Sequence, residues 1–114
     1  MANTFTKTTK SSLSTADVTS SGTTNVVTVG ATTTVVVLSI LISNKTASSA
    51  NANVYLFPNS GDSVFLLKNA PVPSGSSLEI ISGSKIILNS NDVLRASADT
   101  ASALDITVSY LAQT

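Results

Sequence analysis

The stretch "TTVVVLSILIS" (33–43) decides the fold. Its β-branched residues lose side-chain freedom in a helix and pack well on a pleated surface, so the run reads as a strand. Over 35–42 it is apolar on both faces. A strand with no polar face belongs in the middle of a sheet, covered on one side by an opposing sheet and on the other by a neighbour, an arm or another subunit. Just upstream, "NVVTV" (25–29) has the same character, and the two runs break at Gly30. The break is either a tight turn between two strands or a bulge that bends one.

Working toward the C-terminus, "SNKTASSAN" (43–51) is a polar loop, and "ANVYLF" (52–57) then alternates Ala52, Val54 and Leu56 against Asn53, Tyr55 and Phe57. The turn formers of "PNSGDS" (58–63) predict a hairpin into "VFLLK" (64–68). In "APVPSGSS" (70–77), Pro71 and Pro73 fix φ and supply no ladder donor, so this segment reads as a stiff bridge between strands, with passage from one sheet to the other as one form it can take. "LEII" (78–81) and "KIIL" (85–88) read as a second hairpin, with Gly83 available for a positive φ. "VLRASA" (93–98) follows, and "ALDITVSYL" (103–111) sets Leu104, Ile106, Val108 and Tyr110 against Asp105, Thr107 and Ser109 with period 2. About eight short strands, turn signals every 8–12 residues and no helical period predict an all-β protein. The expected architecture is an antiparallel β-sandwich, jelly-roll-like, over residues 25–114.

Residues 1–24 differ. Ser and Thr dominate, and Phe5, Leu13 and Val18 are scattered without a sustained period. Ordering such a segment costs about 1–2 kcal/mol per residue in backbone entropy, with few apolar groups to offset it. The expectation is a flexible N-terminal arm, with a short strand possible at 16–20, that becomes ordered only when Phe5, Leu13 and Val18 contact a partner. On that reading, deleting residues 2–20 leaves the sandwich folded.

With 114 residues the chain is long enough for one two-layer core. Six basic and six acidic residues give a formal charge of zero, which offers nothing to attract nucleic acid or an anionic membrane. The apolar run 35–42 is far shorter than the roughly 20 residues of a membrane span, and the N-terminal stretch lacks a signal-peptide pattern. Histidine and cysteine are both absent, which removes the usual general base, the thiolate nucleophile, the preferred zinc ligands and any disulfide framework. The expectation is a soluble, non-enzymatic chain that folds inside a cell, with no cofactor and no metal.

The remaining constellations have plain readings. Asp62, Asp92 and Asp99 lie in turn-rich positions where such side chains bond their own backbone, which is favoured over an acid–base pair. "NSGD" (59–62) and "NSND" (89–92) are read as one tight-turn sequence used twice, ahead of a calcium half-site. Glu79 faces solvent, pairs with Lys85 or Arg95, or lies in a subunit interface. "NKT" (44–46) matches the N-glycosylation pattern formally and is read as a solvated loop. Tyr55, Phe57, Phe65 and Tyr110 are too few for a stacking platform and are read as core or interface anchors.

Three segments, "LLKNAPVPSGSSLEII" (66–81), "SGSKIILNSNDVLRASAD" (82–99) and "DITVSYL" (105–111), give residues 33–114 a resemblance to the C-terminal half of small virion proteins of tailed bacteriophages, especially those of cyanobacteria. The Ser/Thr-rich arm has no counterpart in it. The resemblance implies a non-enzymatic β-sandwich subunit of the particle, located in the virion after assembly in the host cytoplasm. It would be a capsid cement (decoration) protein that bridges capsomers, or a neck, tail or fibre-attachment subunit. The expected partners are copies of itself, as a homotrimer, and the major capsid protein or neck and tail proteins. A carbohydrate- or receptor-binding module is the reading from a different class, disfavoured by the absence of Trp. Fold alone warrants none of these functions.

Overall fold

Alternation of buried and exposed residues persists along most of the chain, and it builds two antiparallel sheets. The structure is a computed structural model that describes residues 2–20, 22–81 and 85–114. Its strands are β1 (Asn3–Lys10), β2 (Asn25–Thr28), β3 (Thr34–Asn44), β4 (Ala50–Phe57), β5 (Val64–Val72), β6 (Ser77–Glu79), β7 (Ile86–Leu88), β8 (Val93–Ala98) and β9 (Leu104–Gln113), with a 3-10 turn at Gly22–Thr24. A five-stranded sheet runs β1-β9-β3-β6, with β7 also on β3, and a four-stranded sheet runs β2-β8-β4-β5. Every connection crosses between the sheets except the β4–β5 hairpin and the passage from β6 to β7. With β6 and β7 counted as one interrupted strand, this is the eight-strand connectivity of a jelly roll.

The expected hairpin of "LEII" and "KIIL" does not form. β6 pairs with Leu41, Ile42 and Ser43, whereas β7 pairs with Val35, Val36 and Val37, so both lie end to end along the same edge of β3. Ile80 continues the ladder by donating to the Ile40 carbonyl at 3.1 Å. Gly83, expected to supply a positive φ, lies outside the described residues.

β3 is central, as its composition predicts, but a bulge accounts for part of its two-faced apolarity. Val35 and Val37 point into the core, and Ile40 and Ile42 do so further along. An odd-to-even change of phase requires one extra residue, and the register with β9 slips there, between Val37 and Ser39. β2 and β3 are joined by a turn in which the Thr33 N–H donates to the Gly30 carbonyl at 3.3 Å, and the two strands then go to opposite sheets.

The Pro-rich segment does carry the chain from one sheet to the other. β5 is the edge of its sheet and extends through Pro71, which sits opposite Asn51 where no outward donor is needed. Asn69 adopts φ 52° at a bulge, and its N–H donates to Asn53 Oδ1 at 2.9 Å. The crossing then turns at Pro73–Ser76, closed by Ser76 N–H to the Pro73 carbonyl, with Gly75 at φ 66° in the position where a type II turn demands a left-handed residue.

The N-terminal segment is not the unordered arm its composition suggests. β1 pairs with β9 from Asn3↔Gln113 to Lys10↔Ile106. Beyond it, Leu13 is 1% exposed inside this chain's own core and Val18 is 4% exposed, buried against the rest of the chain. The stretch 16–20 is a turn, not a strand. Main-chain pairing along a preformed sheet edge, and one deep apolar anchor, supply what a count of apolar residues does not register.

Candidate functional site

Register places four apolar side chains in one row across the outer face of the five-stranded sheet. Phe5 of β1 is opposite Leu111 of β9, Leu111 is opposite Val36 of β3, and Val36 is opposite Ile87 of β7. The row spans four strands, about 14 Å at the usual strand spacing. Phe5 is 76% exposed and Ile87 is 51% exposed, while Val36 and Leu111 are half-buried between them. Polar residues flank the row on both sides, with Asn3, Gln113 and Thr34 before it and Lys7, Ser109 and Ser39 after it. The result is an apolar band framed by polar groups, of which Lys7 carries a charge.

The outer face of the four-stranded sheet is covered differently. Arg95 of β8 points outward yet is buried, because the segment before β2 lies over it. Its Nη1 donates to the Val18 carbonyl at 3.1 Å, its Nε donates to Asn25 Oδ1 at 2.8 Å, and its guanidinium stacks 4.4 Å from the Phe57 ring centre. Ala98 N–H donates to the Ser14 carbonyl at 3.0 Å. Residues 14–18 are thus a strap fastened to β8 from both ends. Beside the strap is a groove of about 410 Å³ lined by Asp17, Val18, Asn53, Phe65, Lys68 and Asp99, among others. Phe65 is not a free stacking platform there, since Tyr55 packs edge-on at 4.9 Å and Lys68 Nζ lies 5.1 Å from its ring. Bonds from the Thr19 backbone N–H and hydroxyl hold the Asp17 carboxyl below its ordinary pKa.

Where β1 ends, three side chains meet. Asp105 Oδ1 accepts from Lys45 Nζ at 2.9 Å and from the Ser12 N–H at 2.8 Å, and Lys45 Nζ also donates to Ser12 Oγ at 2.8 Å. The Lys45 hydrogen bond, then that of Ser12, lowers the Asp105 pKa from its ordinary value of 3.8. A depressed carboxylate contributes stability above its unfolded-state pKa and loses it as pH falls through the folded value. Wild type and Asp105→Asn should therefore differ in urea midpoint at pH 7 and converge as pH drops below 3.8. A gap that persists at low pH assigns the effect to packing instead of charge.

The turn carboxylates do backbone work. Asp92 accepts from Asn59 N–H at 2.9 Å with one oxygen and from Asn89 N–H at 2.8 Å with the other, which ties two loops together. Asp99 accepts from Asn51 N–H at 2.8 Å. Glu79 is exposed beside Leu41. Asn44 of the "NKT" sequence is buried, not solvated, and its amide is fully used in hydrogen bonds.

Of the three partner contacts expected from the sequence, Phe5 alone is presented to solvent. Leu13 is buried in the core cluster and Val18 is buried in the strap over β8, so in this chain both side chains are covered by its own residues. Sequence reasoning did not pick out Val36, Ile87 and Leu111, although outward phase along three strands marks them once the register is known. Among the described residues no group of three or more carboxylates clusters as a metal site, and no helix is long and apolar enough to cross a membrane. Comparison with protein-family models, with curated proteins and with solved structures finds no match.

Proposed function

We propose that the chain is a non-enzymatic structural subunit of a bacteriophage particle, a capsid cement protein that associates with copies of itself and with the major capsid protein. The observation that carries the reading is the Phe5–Leu111–Val36–Ile87 row, an apolar band open to solvent on the outer face of the five-stranded sheet. The resemblance of residues 33–114 to small virion proteins points the same way. A formal charge of zero removes long-range repulsion between copies, which suits dense packing on a shell.

Two measurements test it. Copy number in purified particles, read by quantitative mass spectrometry, should be on the order of hundreds for a shell-covering protein and about six or twelve for a ring in the neck or tail. Replacing Ile87 with Asp puts a charge in the band without touching the core, and should weaken attachment about tenfold while leaving the melting temperature nearly unchanged. Undiminished occupancy by the Ile87→Asp protein removes the row from the interface. Absence of the chain from particles removes the virion reading altogether.

A further inference from the structure

β1 is an edge strand, hydrogen-bonded to β9 on one side only, and it is almost unburied. Its ladder with β9 runs without a slip from Asn3↔Gln113 to Lys10↔Ile106, and Ala2 and Thr114 exchange two more backbone bonds at 3.0 and 2.9 Å. Yet residues 3–7 are exposed whichever face they occupy. Main-chain bonds in contact with water contribute little net free energy each, because water replaces them when they open. Three residues after β1, Leu13 is sealed in the core. The boundary between a loosely held strand and a firmly held anchor falls at Ser12.

Ser12 is in the left-handed region at φ 54°, a conformation that costs a residue with a side chain. Its N–H and Oγ are pinned by Asp105 and Lys45 in the cluster described above. Rotation of this one residue to an extended φ swings β1 off β9 while Leu13 and the strap remain in place.

We infer that β1 is an exchangeable strand, which turns about Ser12 and pairs in the same register with β9 of a second copy of this chain. The second copy is the occupant because the edge of β9 already fits this sequence at every position from 106 to 113, including Leu111 against Phe5. Exchange therefore conserves the β1–β9 ladder and, at the cost of the Asp105 and Lys45 bonds to Ser12, relieves the conformation there, the condition under which swapping is a low-cost route to oligomers. Reciprocal exchange joins two copies, and cyclic exchange closes a ring. The exposed apolar row is then completed by side chains from both subunits, Phe5 from one and Leu111, Val36 and Ile87 from its partner. This deepens the assembly reading and draws its biological setting from it.

The test uses the absence of native cysteine. Thr9 and Thr107 are register partners, at a separation a disulfide spans. Full-length Thr9→Cys and Thr107→Cys proteins are mixed, incubated at high concentration and oxidised with glutathione disulfide. The expected product is a mixed disulfide between one chain of each kind, about tenfold above that from Thr9→Cys mixed with Asp62→Cys, a hairpin-loop control. Adding Ser12→Gly, which accepts the left-handed φ without strain, should lower the yield severalfold. The double variant carrying both cysteines should bridge within one chain when dilute. Exchange is overturned if the intrachain bridge forms and the mixed disulfide stays at the control level, or if neither forms. Oligomers in sedimentation and normal particle occupancy without mixed disulfide leave assembly standing and remove exchange. Mixed disulfide in a chain absent from particles does the reverse.

Discussion

A protein lacking residues 2–20 should lose its cooperative thermal transition or melt roughly 20 °C or more below the full-length chain. The loss has identifiable parts. Removing Leu13, which is 1% exposed, and Val18 takes away two buried apolar side chains and opens the cavities they fill. Arg95 loses the Val18 carbonyl and Ala98 loses the Ser14 carbonyl, and the face of β8 that the strap covered is opened to water. Together these are worth about 6 kcal/mol. Typical stabilities of about 0.05–0.15 kcal/mol per residue give a chain of 114 residues only about 6–17 kcal/mol in all. Removing residues 2–10 alone should cost about 2 kcal/mol or less, because β1 is mostly exposed and Leu13 stays behind. Circular dichroism melts of the two truncations separate the cases. If the 2–20 deletion melts with the full-length protein, the strap is not part of the core.

That outcome bears on what the sequence could disclose. Period-2 alternation in "ALDITVSYL" places Leu104, Ile106, Val108 and Tyr110 inward and Asp105, Thr107 and Ser109 outward, and the structure buries the first three and packs Tyr110, half-buried, against the core. The prolines of "APVPSGSS" announce an edge and a crossing for a local physical reason, the missing N–H. The N-terminal segment fails the same kind of reading because its order comes from long-range pairing. "NTFTKTTK" has Thr at alternate positions and becomes β1 only because β9 offers an unpaired edge. Likewise "LEII" and "KIIL" look like a hairpin to any rule that pairs neighbours in sequence. Both prefer β3, an apolar strand long enough to hold them in line.

The candidate surface was legible only in part. Phe5 stands out as a lone aromatic in a polar segment, and an apolar partner contact is a fair expectation for it. Val36, Ile87 and Leu111 are invisible because each sits in an apolar run whose inward and outward members differ only in phase. For Val36 the phase depends on the slip beyond Val37, which no local composition marks. Lys45, Asp105 and Ser12 are likewise far apart in sequence and meet only at the end of the β1–β9 ladder.

Asn44→Ala should lower stability by about 3 kcal/mol, or roughly 12 °C in melting temperature, the largest effect expected of a single polar side chain here. Asn44 is 3% exposed at the end of β3, under the point where the chain leaves the five-stranded sheet. Its Nδ2 donates to the Ser48 and Val72 carbonyls, both at 2.9 Å, and its Oδ1 accepts from Thr46 N–H at 2.8 Å and Thr46 Oγ1 at 2.7 Å. One side chain therefore fixes the β3–β4 loop and fastens it to the end of β5, while the Asn44 backbone N–H holds the Ser76 carbonyl at 2.8 Å. Two sheet-crossing connections meet at this amide. Alanine leaves the Val72 carbonyl buried without that donor, and a buried unsatisfied group costs more than the bond was worth. Asn44→Asp separates shape from donation: it is nearly isosteric, keeps an acceptor for Thr46 and places a carboxylate against two carbonyl oxygens. It should destabilise at pH 7 at least as much as alanine and recover in part when acid protonates the carboxyl. Equal stability of wild type, Asn44→Ala and Asn44→Asp at pH 7 in urea unfolding would show that the loop holds itself and that the amide is incidental.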